Sequence, residues 1–318
     1  MYRICDLYCD TISQAKKEGQ TLAKNSLHVD LEKLKEGNYL LQCFGLNVVL
    51  KEEHPFRLCN ETIDFFAQQV AQNSAVIKQV ACNSEIDTTK INAVLALSEA
   101  GALEGDLDKL VKFYRRGVRI VTLVGMSPNG LAFPNFVLKE KWSDNDFITP
   151  NTTQGLTDFG IDVVNKMQEL RMIVDVANLS DVGFWEVVKL VKGPFIASHS
   201  NSRVEHNVSH NLTDAMIIAI ADAEGVIGVS YNPDYVSNSR DNQIQDIVHQ
   251  IQHIVAVGGI ETCALGSGFD DTATPKGISD ASQTKVLYEA LKEAGFSEND
   301  ISKIFYKNFL RVFKEVCG

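Results

Sequence analysis

No run of apolar residues in this sequence approaches the roughly 18 that a membrane-spanning helix requires, so no membrane span is expected. Positive charge is also short. Lys and Arg number 30 against 41 Asp and Glu, a formal net charge of -11. A surface of that sign repels phosphate backbones and anionic lipid, and nucleic acid is not an expected partner. The seven cysteines, scattered from Cys5 to Cys317, are an odd number and do not form the disulfide framework of a small secreted chain. Buried thiols in a reducing cytoplasm are expected instead. The opening, MYRICDLYCD, is too short and too acidic for a secretory signal. Cys5 and Cys9 are spaced for zinc, but no second Cys/His pair completes a four-ligand structural site. Low-complexity segments, long linkers and short repeats are absent as well. No G-x-G-x-x-G follows the first apolar run, which makes an open, doubly wound dinucleotide-binding sheet the weaker of two folds.

The 318 residues instead alternate β-rich runs with amphipathic stretches. The runs are 2–6, 39–50, 91–100, 118–125, 172–178, 194–200, 225–231 and 262–270. Several are almost continuously apolar, as in strands buried on both faces of a parallel sheet. Between them lie helical patterns. LEGDLDKLVKFYRRG has a stripe of Leu103, Leu107, Leu110 and Phe113 and stops at Gly117. LTDFGIDVVNKMQELR opens on Thr157, a side chain suited to an N-cap, and NLTDAMIIAIADAEG ends at Gly225. Eight such units predict a (β/α)8 TIM barrel of α/β class, with extra helices after Thr272, spanning 1–318 as one domain.

In a barrel of this type the chemistry sits at the C-terminal strand ends. The first run ends in Asp6, Tyr8 and Asp10, and the third in Glu99. The fourth ends in Gly125, and the fifth carries Asp175 and Asn178. The sixth ends in Ser198, His199, Ser200, Asn201 and Arg203, and the eighth in Gly268, Asp270 and Asp271. A lone Asp at such a place is often a cap or turn residue, and a lone His a hydrogen-bonded structural group. Gathered at one barrel mouth, carboxylates and an imidazole suit a hard or borderline divalent metal.

The order of these motifs resembles the membrane (renal) dipeptidases, zinc metallopeptidases built on a (β/α)8 barrel. The resemblance runs through LALSEAG, GDLDKLVKFYRRGVRIVTL, the long block GLTDFGIDVVNKMQELRMIVDVANLSDVGFWEVV, PFIASHSNSRVEHNVSHNLTDAMIIAIADAEGVIGV, GSGFD and the closing NFLRVF. It implies a site built from eight positions. Tyr8 and Asp10 stand where the family has His and Asp on the first zinc. Glu99 stands at the glutamate that bridges two zincs, and Asn178 and His199 at two histidines on the second. Gly125 replaces a substrate-contacting His. His210 stands at an Arg that pairs with the dipeptide carboxylate, and Gly268 at an Asp that handles the proton of the attacking water.

Asp10, Glu99 and His199 alone are retained, so the expected metal content is at most one divalent ion, zinc by preference, on those three. A full dinuclear zinc site is not expected. Tyr8 would ligate only as a phenolate, whose ordinary pKa is about 10, and the Asn178 amide is a weak zinc ligand. Asp270 and His210 are the candidates for the missing proton carrier and carboxylate clamp, and His210, Gly125 and Gly268 for substrate contact. Two readings follow from the resemblance. One is a metal-dependent hydrolase of a dipeptide or related amide with a rebuilt site. The other is a non-catalytic descendant that binds a small ligand or keeps the scaffold, with a homodimer possible for either. Two loops, 125–135 and 231–242, follow the fourth and seventh runs and either line the mouth or are surface excursions.

Overall fold

The structure is a computed structural model that describes residues 2–51 and 54–318. Its strands are β1 (Ile4–Cys9), β2 (Tyr39–Leu46), β3 (Ile77–Gln79), β4 (Ile91–Leu97), β5 (Val118–Thr122), β6 (Ile173–Asp175), β7 (Ile196–Ser200), β8 (Val226–Val229) and β9 (Cys263–Leu265). All pairings are parallel. The order is β2-β1-β9-β8-β7-β6-β5-β4-β3, and β2 also pairs with β4, which closes eight strands into a barrel. Seven of the eight runs read from the sequence contain one of these strands, and the first, 2–6, overlaps the start of β1, which continues to Cys9. The ninth strand, β3, lies outside the ring beside the N-terminal half of β4. Its three residues, IKQ, carry too little apolar pattern to stand out.

One apolar cluster takes residues from all eight barrel strands: Cys5 and Leu7, Leu41 and Cys43, Val94 and Ala96, Ile120, Ile173, Ile196, Val226 and Ala264. A cluster with that membership fills the barrel interior. The same cluster includes Phe309, Val312 and Phe313 of the last helix, Asn308–Cys317. That helix plugs the N-terminal end of the barrel. Arg311 bonds the carbonyls of Glu224 and Glu261, just ahead of β8 and β9, and Val316 O accepts from Arg171, just ahead of β6. The other end is thereby the open one.

The helices on the outside start where the sequence marks them. Thr157, Ser180 and Thr213 each accept from a backbone N–H three residues on, capping Asp158–Glu169, Asp181–Leu190 and Asp214–Asp222. Inside the barrel, glycine sets one close approach. A Cβ at Gly266 would fall 1.9 Å from the Ser198 carbonyl oxygen, and one at Gly228 2.1 Å from it, so β7 passes its neighbours at a distance only glycine allows. Among the described residues no helix is long and apolar enough to cross a membrane.

Candidate functional site

The C-terminal strand ends open into a cavity of about 570 Å³, lined by Tyr8, Glu99, Gly125, Asn178 and His199 together with Asp271 and Tyr235. Five residues singled out in the sequence therefore meet at one mouth, although they lie far apart in the chain. A larger groove, about 790 Å³, lies on the outer wall between the helices Asp181–Leu190 and Asp214–Asp222 and holds none of these strand-end groups.

Glu99 follows β4 and is buried. Its carboxylate sits in a cradle of nitrogen donors. Oε1 accepts from the Gly101 N–H at 2.8 Å and from the Asn129 amide, and Oε2 from the Gly125 N–H at 3.0 Å. Burial raises its carboxyl above the usual range while these three donors pull it back. Gly125 is part of the cradle for a steric reason. A Cβ there would stand 2.7 Å from Glu99 Oε2, so a side chain at this position and this carboxylate position exclude each other.

His199 projects from β7 and is held by a relay. Asp175 Oδ2 accepts from Thr122 Oγ1 and from Ser198 Oγ, both at 2.6 Å, and Oδ1 accepts from the N–H groups of Ser198 and Ala177. Ser198 has spent its hydrogen on Asp175, so its oxygen accepts from His199 Nδ1 at 2.8 Å. That fixes the Nδ1–H tautomer and leaves Nε2 as a bare lone pair on the side chain that lines the cavity. Burial depresses the imidazole to about 4. His210 is fixed the other way. Its Nε2 faces the His199 carbonyl at 2.7 Å and must donate, so Nδ1 accepts from the Asn135 amide at 3.3 Å. Its ring stacks on Tyr235, centroids 3.8 Å apart, and burial holds it neutral with a pKa of about 3. Both nitrogens are committed inside the protein. His210 therefore does not offer a cationic clamp to a carboxylate.

At the end of β1 a bulge between Asp6 and Cys9 turns Tyr8 to the mouth and Cys9 into the outer core. Asp6 stays below, bound by the N–H and hydroxyl of Ser267. Asp10, expected beside Glu99 and His199, does not line this cavity; it lines a smaller one of about 310 Å³ with Lys16 and Lys17. Its Oδ2 accepts from Gln14 and Asn47, while Oδ1 is buried with no partner. Burial, then the charge of Asp271, pushes its carboxyl up to about 8. Asp271 is open to solvent along the cavity yet ringed by protein, and this desolvation raises it to about 6. Asp270 points elsewhere. Its carboxylate takes the Thr11 hydroxyl and the His28 N–H, and its own N–H donates to His28 Nδ1, which spends it on a turn. Gly268 has φ +73° and gives its N–H to the Tyr8 carbonyl. Neither residue is among those that line the cavity, whereas Asp271, one place further on, is.

Among the described residues no three His, Cys, Asp or Glu side chains are grouped so as to hold a metal ion. The donor set explains this. Tyr8 is a buried phenol whose pKa is pushed well above its ordinary value by desolvation, and its ring covers His199. Asn178 brings an amide, and Glu99 is already enclosed by N–H donors. The residues present do not fit a dinuclear zinc centre. Several participants carried no motif of their own. Asn129 and Tyr235 lie in the loops 125–135 and 231–242, for which the sequence left both a mouth and a surface placement open, and Ser98 and Asn47 follow strands. Nothing in their spacing singled them out.

The profile of a family described as "Membrane dipeptidase (Peptidase family M19)" matches residues 2–317. An uncharacterized protein in the pqqA 5' region of Klebsiella pneumoniae is 27% identical over 277 residues, covering 82% of this chain and 97% of that protein. Human dipeptidase 3 is 25% identical over 293 residues, covering 90% of this chain, which spans only 58% of that longer protein. Two crystal structures share the fold. The metallo peptidase called dipeptidase AC superposes with a TM-score of 0.90 at 20% identity, covering 100% of this chain and 99% of its own. A metallo peptidase from Rhodobacter sphaeroides, liganded with a phosphinate mimic of the dipeptide L-Ala-D-Ala, does so with a TM-score of 0.88 at 19% identity, with the same coverage.

Proposed function

Since the chain belongs to the membrane dipeptidase family, Peptidase family M19, we propose that it keeps the family's barrel mouth as a binding site for a small organic ligand and lacks the two-zinc chemistry of dipeptide hydrolysis. The observation that carries this reading is the enclosure of Glu99. The side chain expected to bridge two metals is instead satisfied by Asn129, Gly101 and Gly125. With three donors on about four lone-pair sites, the carboxylate has one site left and would have to surrender a donor to bridge two metals. The mouth itself is intact, and about 570 Å³ lies within the range of small-ligand sites.

The test is metal content and turnover together. Protein purified without chelator is expected to hold well under one equivalent of zinc. It is also expected to leave L-Ala-D-Ala intact with zinc added. Two equivalents of zinc with zinc-dependent hydrolysis would sink the reading. A second reading is favoured by His199, whose Nε2 is free for a bond. In that case one divalent ion on His199, with its other ligands brought in by a rearrangement, since no three such side chains are grouped there, would supply a Lewis acid for an amide hydrolase. One equivalent of bound metal and hydrolysis lost on its removal would select it.

A further inference from the structure

We propose that the ligand of the barrel mouth is amphipathic, with a polar end of carboxamide type on the floor at Asn178 and His199 and a large apolar end packed at the rim against Trp142, Leu138, Met126 and Val49. The inference rests on the reading of the mouth as a small-ligand site and names the class of molecule that the site would take.

Three observations converge. The first is where apolar surface is left uncovered. Among the described residues Val49, Met126, Leu138 and Trp142 are exposed large apolar side chains, Trp142 at 54%, and all four line this one cavity. The larger groove on the outer wall has two, Trp185 and Ile218. Apolar side chains exposed singly are ordinary, but a group of them gathered at a cavity marks a place where something apolar binds. The second is that Trp142 is held in place. Phe136 is 1% exposed and anchors it edge to face, with centroids 6.0 Å apart and planes at 87°. Phe147 packs on both rings, 5.7 Å from Trp142 and 4.7 Å from Phe136. The backbone is tied down as well: the Ser209 N–H donates to the Phe147 carbonyl at 2.8 Å, and the Lys139 N–H to Asn145 Oδ1 at 2.6 Å. A fixed aromatic wall offers contact area without a large loss of side-chain freedom on binding.

The third is the contrast between rim and floor. Asn178 brings an amide that both donates and accepts, and His199 keeps a bare lone pair on Nε2 because Nδ1–H is given to Ser198. A head with an N–H for His199 and a carbonyl for Asn178 matches these two groups. Apolar walls with a few placed polar groups are the make-up of a small-ligand site. The depth of the cavity decides against a second copy of the chain as the occupant. A copy meeting the rim would cover Trp142 and Leu138 and leave the space of about 570 Å³ beneath them unfilled.

The chain has two tryptophans, so Trp185→Phe on the outer wall leaves Trp142 as the one indole reporter. That variant is titrated with three primary amides that share a head and differ in the tail: propanamide, hexanamide and 4-phenylbutanamide. The expected result is a saturable change in Trp142 emission with 4-phenylbutanamide, at an affinity about tenfold or more above that of propanamide and with hexanamide between them, because each added carbon is buried at the rim. Isothermal titration of the unaltered chain should give the same order. Leu138→Ser combined with Met126→Ser changes two exposed side chains and should weaken 4-phenylbutanamide by about threefold or more. Equal affinity for the three amides, or unchanged binding of 4-phenylbutanamide in the double variant, overturns the inference and leaves the small-ligand reading standing. No binding of 4-phenylbutanamide overturns it too, as does sedimentation that shows a dimer covering Trp142 in place of the ligand. Two equivalents of zinc in the purified protein removes the small-ligand reading instead.

Discussion

Tyr8 lies flat against His199, with ring centroids 4.2 Å apart and planes 13° from parallel. His199 in turn lies 5.5 Å from His210, which stacks on Tyr235. Four rings thus run across the floor of the mouth from β1 to the loop after β8. The space in which an imidazole at position 8 would face a metal is occupied by an aromatic stack. Tyr8 acts here as a packing group that also sets the pose of His199.

Truncating that stack is expected to cost stability. Tyr8 is 5% exposed, and removing a buried aromatic side chain costs about 3–5 kcal/mol. Tyr8→Ala should therefore lower the urea midpoint strongly, whereas Tyr8→Phe keeps the ring and should cost less than about 1.5 kcal/mol. Equal losses in the two variants would show that the hydroxyl, not the stacked ring, is what the fold uses.

The two histidines are expected to populate opposite tautomers. Ser198 gives its hydrogen to Asp175 and accepts from His199 Nδ1, while the His199 carbonyl accepts from His210 Nε2. Nitrogen-15 NMR at neutral pH should report His199 as Nδ1–H and His210 as Nε2–H. In Ser198→Ala the signal of His199 should shift toward the Nε2–H form and that of His210 should not. An Nε2–H signal for His199 in the unaltered protein would mean that the relay from Asp175 is wired the other way.

Much of this arrangement was legible in the residues, and the limits have physical causes. Barrel strands announce themselves because they are buried on both faces; β3 escaped notice because only Ile77 of its three residues is fully buried. The convergence of Tyr8, Glu99, Gly125, Asn178 and His199 followed from their places at strand ends. What a side chain does after the strand ends depends on loop backbone. Asp270 and Asp271 are neighbours in sequence, yet the φ of +66° at Asp270 sends the first to Thr11 and His28 and leaves the second at the cavity. The Asn129 amide reaches Glu99 only because of the course of the loop after β5, which residue spacing does not encode.

The pH dependence of stability should have a distinctive sign above neutrality. Asp10 is raised from 3.8 to about 8, so the folded state holds a proton there that the unfolded state has already released. Its contribution to stability is complete below pH 3.8 and is lost as pH rises through about 8. His199 and His210, lowered from 6.5 to about 4 and about 3, act in the opposite direction, but only below about pH 6.5. Denaturation midpoints should accordingly fall between pH 6.5 and 8.5, and Asp10→Asn should flatten that decline. Rising midpoints over the same interval in the unaltered protein would show that Asp10 is ionised in the folded state.

Restoring the lost family side chains is expected to fail in a particular order. Tyr8→His and Asn178→His add two nitrogen ligands, His210→Arg adds a guanidinium, and Gly268→Asp adds a carboxylate. Each meets an obstacle in this chain. Tyr8→His gives up the larger of two stacked rings. The space at position 210 is closed by Tyr235, Asn135 and the His199 carbonyl. Gly268 has room, with no atom nearer than 3.7 Å to a Cβ, but its φ of +73° costs an L-residue about 1–2 kcal/mol. Above all, none of the four changes releases Glu99 from Asn129 and the Gly125 N–H. The quadruple variant should therefore bind less than two equivalents of zinc by equilibrium dialysis and stay inactive on dipeptides. Adding Asn129→Ala and Gly125→His should raise zinc uptake, because the first removes one donor from the Glu99 carboxylate and the second forces it out of its cradle. The outcome that would refute this account is two bound zinc ions in the quadruple variant alone. It would show that Glu99 leaves its three donors readily, and that the loss of ligands at Tyr8 and Asn178 was the whole barrier to metal.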